Sequence, residues 1–240
     1  MNSEKNLEIN NLLSNLTEYP LFVSVFQIAS VWIVSSVGYE IFGIILGKDL
    51  SYTTDPLLIA SYYLFWIFVS VSAFWNIYVK WHIVKNEVAT YAAVLLILGF
   101  IASYIIYILP GAPIWKLSVG INPASELLET STWYFLPKSV EIILQQLLVY
   151  ALVLSFYRSK YKIHTTAVWC ALLFGSAHLL LVFGGPSLWY ISLFTAAGAV
   201  AGFIFPYLIL KTKNGFMYSY MLHWSFYAVL IFVLKNLLFV

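Results

Sequence analysis

The chain of 240 residues is 62% hydrophobic and 9% charged, with a mean hydropathy of +0.89. Soluble globular domains run to about half apolar and about a quarter charged, so this composition excludes a water-soluble fold and defines an integral membrane protein. The formal net charge of +2 comes from basic residues scattered over loops, with no stripe able to follow phosphates, so no nucleic acid partner is expected.

A spanning helix needs about 20 apolar residues, and the short polar gaps leave room for about seven of them. The predicted fold is therefore an all-α, polytopic helix bundle, with one transmembrane domain over residues 20–240. Residues 1–19 read as a polar amino-terminal tail without the basic start and small-residue cleavage site of a signal peptide. Asn15-Leu-Thr17 fits a glycosylation sequon, but the topology derived below places it in the cytoplasm, where it is not used.

The first span is expected from about Pro20 to Gly47, the second from Pro56 to about Tyr78, and the third from Thr90 to Leu109, where Pro110 and Gly111 stop it. Glu40 lies about two turns from the end of the first span and is expected to reach the interface along its own stem. Residues 111–132 form the longest connection, in which Pro123-Ala-Ser-Glu-Leu-Leu-Glu129 can make a short helix on the membrane surface. The fourth span runs from Pro137 to Tyr157 and ends in a basic turn, Arg158-Ser-Lys-Tyr-Lys162. The fifth, from about Thr166 to Phe183, is closed by Gly184-Gly185-Pro186. The sixth covers Leu188 to Leu210, and its Gly198 and Gly202 have the spacing that lets another helix of the bundle approach closely. The seventh, Phe216 to about Leu238, follows Lys211-Thr-Lys-Asn-Gly215, and its Lys235 is expected to snorkel. Cys170, the one cysteine, excludes an internal disulfide and reads as packing.

Seven spans collect Lys5, Lys80, Lys85, Arg158, Lys160, Lys162, Lys211 and Lys213 on one side. The other side has Lys48 and Lys116, with Lys138 and Lys235 near helix ends. The positive-inside rule then places the amino terminus in the cytoplasm of a multi-pass protein of the cell membrane.

Three spans carry polar groups that hydrocarbon penalises. An acidic side chain at mid-helix costs about 2.5 to 3.5 kcal/mol to insert, so Glu141 in the fourth span is a candidate functional residue. Residues four apart share a helix face, which sets Glu141 beside Gln145, Phe174 beside His178, and His223 beside Tyr227. The economical arrangement turns these stripes inward, bringing Glu141, His178 and His223 towards one interior cavity. One carboxylate and two imidazoles permit three things: activation of water by a general base with stabilisation of an oxyanion, a zinc site held by Glu141, His178 and His223, or a hydrogen-bonded plug that fixes helix packing.

The order and surroundings of these residues resemble the CPBP family of intramembrane proteases, which includes CAAX-processing endopeptidases and bacteriocin-immunity proteins. The resemblance covers about residues 133–230. The family's Glu-Glu-x-x-x-Arg motif falls on Glu141-Ile-Ile-Leu-Gln-Gln146, Phe-x-x-x-His on Phe174 to His178, and His-x-x-x-Asn on His223 to Tyr227. It implies a glutamic-type endopeptidase acting without a cofactor on a membrane-associated protein or peptide, with Glu141 and His178 activating water. His223, with Tyr227, would donate to the oxyanion, and Gln145, Gln146 and Phe174 would support them. Ile142, Gln146 and Tyr227 depart from the motifs. The first two are neutral where the family has an ion pair at i and i+4, so the pair is lost jointly and no charge is stranded. A catalytically silent protein of the same fold acting by binding, as in bacteriocin immunity, is the alternative, and an ion-coupled carrier the more distant one. Oligomeric state leaves no mark on the sequence.

Overall fold

The computed structural model describes residues 21–79, 88–108, 133–184 and 188–237. The amino-terminal tail, the sequon, the surface helix at 123–129 and the lysines at 5, 80, 85 and 116 lie outside them, as does the side chain of Lys235.

Among the described residues eight α-helices follow in chain order: α1 Leu21–Leu46, α2 Pro56–Ala73, the short α3 Trp75–Val79, α4 Val88–Ser103, α5 Phe135–Arg158, α6 Ile163–Ala177, α7 Leu188–Lys211 and α8 Gly215–Leu237. A π-helical turn, Tyr104–Ile108, extends α4, and a 3-10 turn, His178–Gly184, extends α6. Seven of the helical segments are long and apolar enough to cross a bilayer, so the protein is an all-α polytopic membrane bundle. The second span also differs from expectation in its continuity. It breaks at Phe74, whose N–H still reaches the Ser70 carbonyl, and the chain resumes as α3. The guanidinium of Arg158, at the end of α5, takes up the carbonyls of Asn76 and Ile77 at 3.0 and 2.8 Å.

The bundle is arranged around α5. In its most apolar window 61% of the residues are buried, against 11% in α1, although both windows have a mean hydropathy of 1.8. α1 and α2 pack on one flank of α5, and α6, α7 and α8 on the other. Cross-links pin them: Tyr78 donates to the Leu147 carbonyl at 2.9 Å, and Trp224 of α8 donates to Ser139 of α5 at 3.0 Å.

The small residues of α7 serve the contact with α6. A Cβ on Gly202 would lie 2.6 Å from the Cys170 carbonyl oxygen, and one on Gly198 would lie 2.7 Å from Nδ1 of His178. Close helix approach is thus used inside the bundle, where the buried Cys170 packs against α7. Glu40 is exposed on α1 and does not join the interior.

Candidate functional site

α5 begins at Phe135, and Pro137 is tolerated in its first turn because the N–H that proline lacks would have no intrahelical acceptor there. From there the three- and four-residue spacings set Lys138, Glu141 and Gln145 on one face. The Lys138 ammonium donates to Oε2 of Glu141 at 2.6 Å, and its side chain is 2% exposed. The ring centroids of Tyr52 and Tyr227 lie 4.7 and 4.8 Å from this ammonium, and that of Tyr134 lies 5.9 Å away.

Lys138 lies near a helix end, as the sequence places it, and is buried there. A buried ammonium costs several kcal/mol, roughly, unless it is paired. Here a carboxylate one turn away and the faces of tyrosine rings offset that cost. Snorkelling would have left Glu141 without its cation.

Glu141 is further held from two directions. The Tyr52 hydroxyl donates to Oε2 at 2.7 Å and shares a 3.1 Å hydrogen bond with Tyr63, while the amide nitrogen of Gln145 donates to Oε1 at 2.9 Å. Tyr52 comes from the loop between α1 and α2. Burial, and next the Glu141 charge, push its phenol well above the ordinary value, so it stays protonated and acts as a donor to the carboxylate. A carboxylate offers about four lone-pair sites, and three are now engaged.

The imidazoles occupy the other flank. On α8, Nδ1 of His223 lies 3.0 Å from the Gln146 amide nitrogen. An amide nitrogen only donates, so Nδ1 accepts and the ring proton sits on Nε2. On α6, the backbone tightens into the 3-10 turn at His178, whose N–H turns to the Gly175 and Ser176 carbonyls. The Phe174 carbonyl that a continuing α-helix would have used accepts instead from His178 Nδ1, at 2.8 Å. In the neutral ring, Nε2 of His178 is then the acceptor. The two imidazoles therefore present opposite faces, one able to take a proton and one able to donate a hydrogen bond. The Phe174 ring lies between them, 5.0 Å from His178 and 5.5 Å from His223, and Gly198 leaves room for the His178 ring.

Sequence reasoning placed Glu141 beside Gln145 and Phe174 beside His178, and the structure does so too. It also joins Gln146 to His223 across two helices. It does not join Glu141 to either histidine. No hydrogen bond or ion pair links them among the described residues, although His178 is within electrostatic reach of Glu141 and Lys138, and His223 of His178 and Lys138. Tyr227 packs 5.8 Å from the His223 ring and turns its own face to the Lys138 ammonium. Among the described residues no three His, Cys, Asp or Glu side chains come together in a group that could hold a metal ion. Glu141, His178 and His223, the ligands of the zinc alternative, do not form such a group.

Beside Glu141 a small cavity opens between α1, α2 and α5, lined by Trp32, Ser35, Ser36, Tyr63, Glu141, Leu144, Gln145 and Leu148. It leaves about 20 Å³ for the centre of a water molecule. Lys138, Tyr52 and Tyr63 were missed from the sequence. Lys138 carried a signal, since it lies three residues before Glu141 on the same helix face. Tyr52 carried none, being 89 residues distant.

Set against protein-family models, curated proteins and solved structures, the chain matches none of them. The resemblance to the CPBP family therefore rests on the sequence motifs alone.

Proposed function

We propose that the protein is an intramembrane endopeptidase of CPBP type, hydrolysing a peptide bond in a membrane-associated protein or peptide. The observation that carries this reading is the part-buried Glu141 carboxylate, which borders a small cavity lined by both polar and apolar groups. In the reaction a water oxygen bonds to the substrate carbonyl carbon while its proton passes to Glu141, assisted by the acceptor Nε2 of His178. The oxyanion accepts from Nε2–H of His223, with Tyr227 beside it. The C–N bond then breaks and the amine leaves with the proton that Glu141 held.

A second reading, a silent protein of the same fold that acts by binding, is favoured by the Lys138–Glu141 ion pair, which already occupies one carboxylate oxygen. Purified protein and a panel of membrane-associated peptides separate the two. Site-specific cleavage that survives chelation and is lost in Glu141→Gln, and equally in Lys138→Met/Glu141→Gln where no charge is stranded, supports the hydrolase. Cleavage by none of the three proteins, with peptide binding intact, supports the silent protein.

The orientation belongs to the same proposal, with the amino terminus in the cytoplasm of a cell-membrane protein. It follows from the cations of the turns after α5 and α7, Arg158, Lys160, Lys162, Lys211 and Lys213. In intact cells Ser159→Cys should resist an impermeant thiol reagent and Thr53→Cys should react; the reverse pattern would invert the topology.

A further inference from the structure

We infer that the end of the bundle where α6 starts and α7 finishes is a binding surface for an anionic phospholipid, with Lys162 and Lys211 at the phosphate and the seam between the two helices along the acyl chains. The hydrolase reading plays no part in this.

The surface is prepared by small residues. Any side chain at Gly202 of α7 would strike the Cys170 carbonyl of α6, so the two helices touch closely there. The contact continues to their ends, where the Tyr207 hydroxyl lies 3.4 Å from Nδ1 of His164 and the His164 ring lies 5.7 Å from that of Phe203. Lys162 immediately precedes α6, two residues before His164, and Lys211 ends α7 one turn past Tyr207. Glycine packing deep in the bundle thus carries cations from two separate turns to one place.

Those cations have nothing of their own to bind. Lys162, Lys211 and the neighbouring Lys160 are exposed, and they make no ion pair or side-chain hydrogen bond among the described residues. Arg158 differs, because its guanidinium is spent on the carbonyls of Asn76 and Ile77. The acidic side chains of the described residues are Glu40, Asp49, Asp55 and Glu141, all towards the opposite end of the bundle. Lysines gathered beside spanning helices, with no carboxylate among them, attract anionic lipid head groups.

The rest of the surface decides between a lipid and a free phosphate. From the lysines towards the membrane centre, α6 presents the exposed His164, Val168 and Leu172 at four-residue spacing, while α7 presents Tyr207 and the exposed Phe203. At 1.5 Å per residue, His164 to Leu172 covers about 12 Å. Over that distance the surface passes from ammonium groups, through rings with a polar tip, to purely apolar side chains, which is the gradient of a lipid from head group to chain. A soluble phosphate would use only the first part of it.

Titration of the full-length protein in detergent with phosphatidylglycerol and phosphatidylcholine of identical chains, read by native mass spectrometry, tests the surface. Each lysine near the head group adds about fivefold in affinity for an anionic lipid, so the three should give phosphatidylglycerol a preference of about 100-fold. Lys162→Gln/Lys211→Gln should cut that preference to about fivefold and leave phosphatidylcholine binding as it is. Lys162→Arg/Lys211→Arg keeps the charges and should keep the preference, and Lys48→Gln, at the opposite end, should not alter it. Glycerophosphoglycerol, the same head group without chains, should not compete at the concentration of the lipid. Equal affinity of the wild type for the two lipids overturns the inference, as does a preference that survives in the glutamine variant or falls equally in Lys48→Gln. Competition by the chain-free head group at equal concentration overturns the lipid as occupant and makes the surface a site for soluble phosphates.

Discussion

The two flanks of α5 hold their buried polar groups by different means. Towards α1 and α2, Glu141 is held by a cation and a charge-assisted phenol hydrogen bond. Towards α6 and α8, His223 and His178 are held by neutral partners, an amide and a backbone carbonyl. The difference teaches which substitutions the bundle can absorb. A neutral buried hydrogen bond contributes about 1 kcal/mol net, and stranding one of its partners costs about 1 to 3 kcal/mol, less than stranding a buried charge. A buried ion pair has to be kept or removed whole, because either member left alone is an uncompensated charge.

The largest expected effect follows directly. Lys138→Met should destabilise the protein by about 3 to 5 kcal/mol by stranding Glu141, and Glu141→Met should do much the same by stranding Lys138. Lys138→Met/Glu141→Met should recover most of that loss. Unfolding of the four proteins in detergent gives the coupling directly. Additive losses would mean that the pair is not an energetic unit and would erase the contrast between the flanks.

Next in size is Tyr52→Phe, which removes one charge-assisted hydrogen bond and keeps the ring over Lys138. The expected cost is about 1.5 to 3 kcal/mol, read by the same unfolding measurement. A cost near zero would reduce the loop between α1 and α2 to a connection with no part in holding the carboxylate.

On the neutral flank the expectation is smaller. Gln146→Leu takes the donor from His223 Nδ1, but it also removes Gln146 Oε1, which is buried without a partner. The two changes oppose one another, so stability should move by no more than about 1 kcal/mol. A loss as large as that of Lys138→Met would show that both flanks are equally strict.

The fold was legible because a bilayer allows few solutions. Runs of apolar residues must be helices there, and their number and order can be counted. The site was legible wherever partners lie on one helix, as with Glu141 and Gln145 or Phe174 and His178. What stayed hidden depends on which helix lies next to which. Nothing local marks Tyr52 as the phenol that reaches Glu141 or Ser35 as a wall of its cavity. Lys138 was overlooked for a different reason: it was counted only as a cation near a helix end, and the rings of Tyr52 and Tyr227 that flank it come from other elements. Positions 142 and 146, read as jointly neutral, are both fully buried, with Gln146 turned to His223.

The smallest effect belongs to an ion pair of the same chemistry in the opposite environment. Lys48 and Asp55 close the loop that carries Tyr52, and the Lys48 side chain is 45% exposed. Water screens this pair, so Asp55→Asn should cost no more than about 1 kcal/mol, and less in high salt. Its signature is in the pH dependence. The Lys48 hydrogen bond, and next that of Thr54, hold the Asp55 carboxyl below its ordinary value. A depressed folded pKa means that the unfolded chain binds the proton more readily. The contribution of Asp55 is thus fully present above the ordinary carboxylate range and disappears as pH falls through the lowered folded value. Wild type and Asp55→Asn should therefore differ slightly at neutral pH and converge in acid, measured as the difference between their unfolding midpoints across that range. A gap of several kcal/mol at neutral pH, comparable with Lys138→Met, would show that the outer loop clamps the site as strongly as the buried pair does.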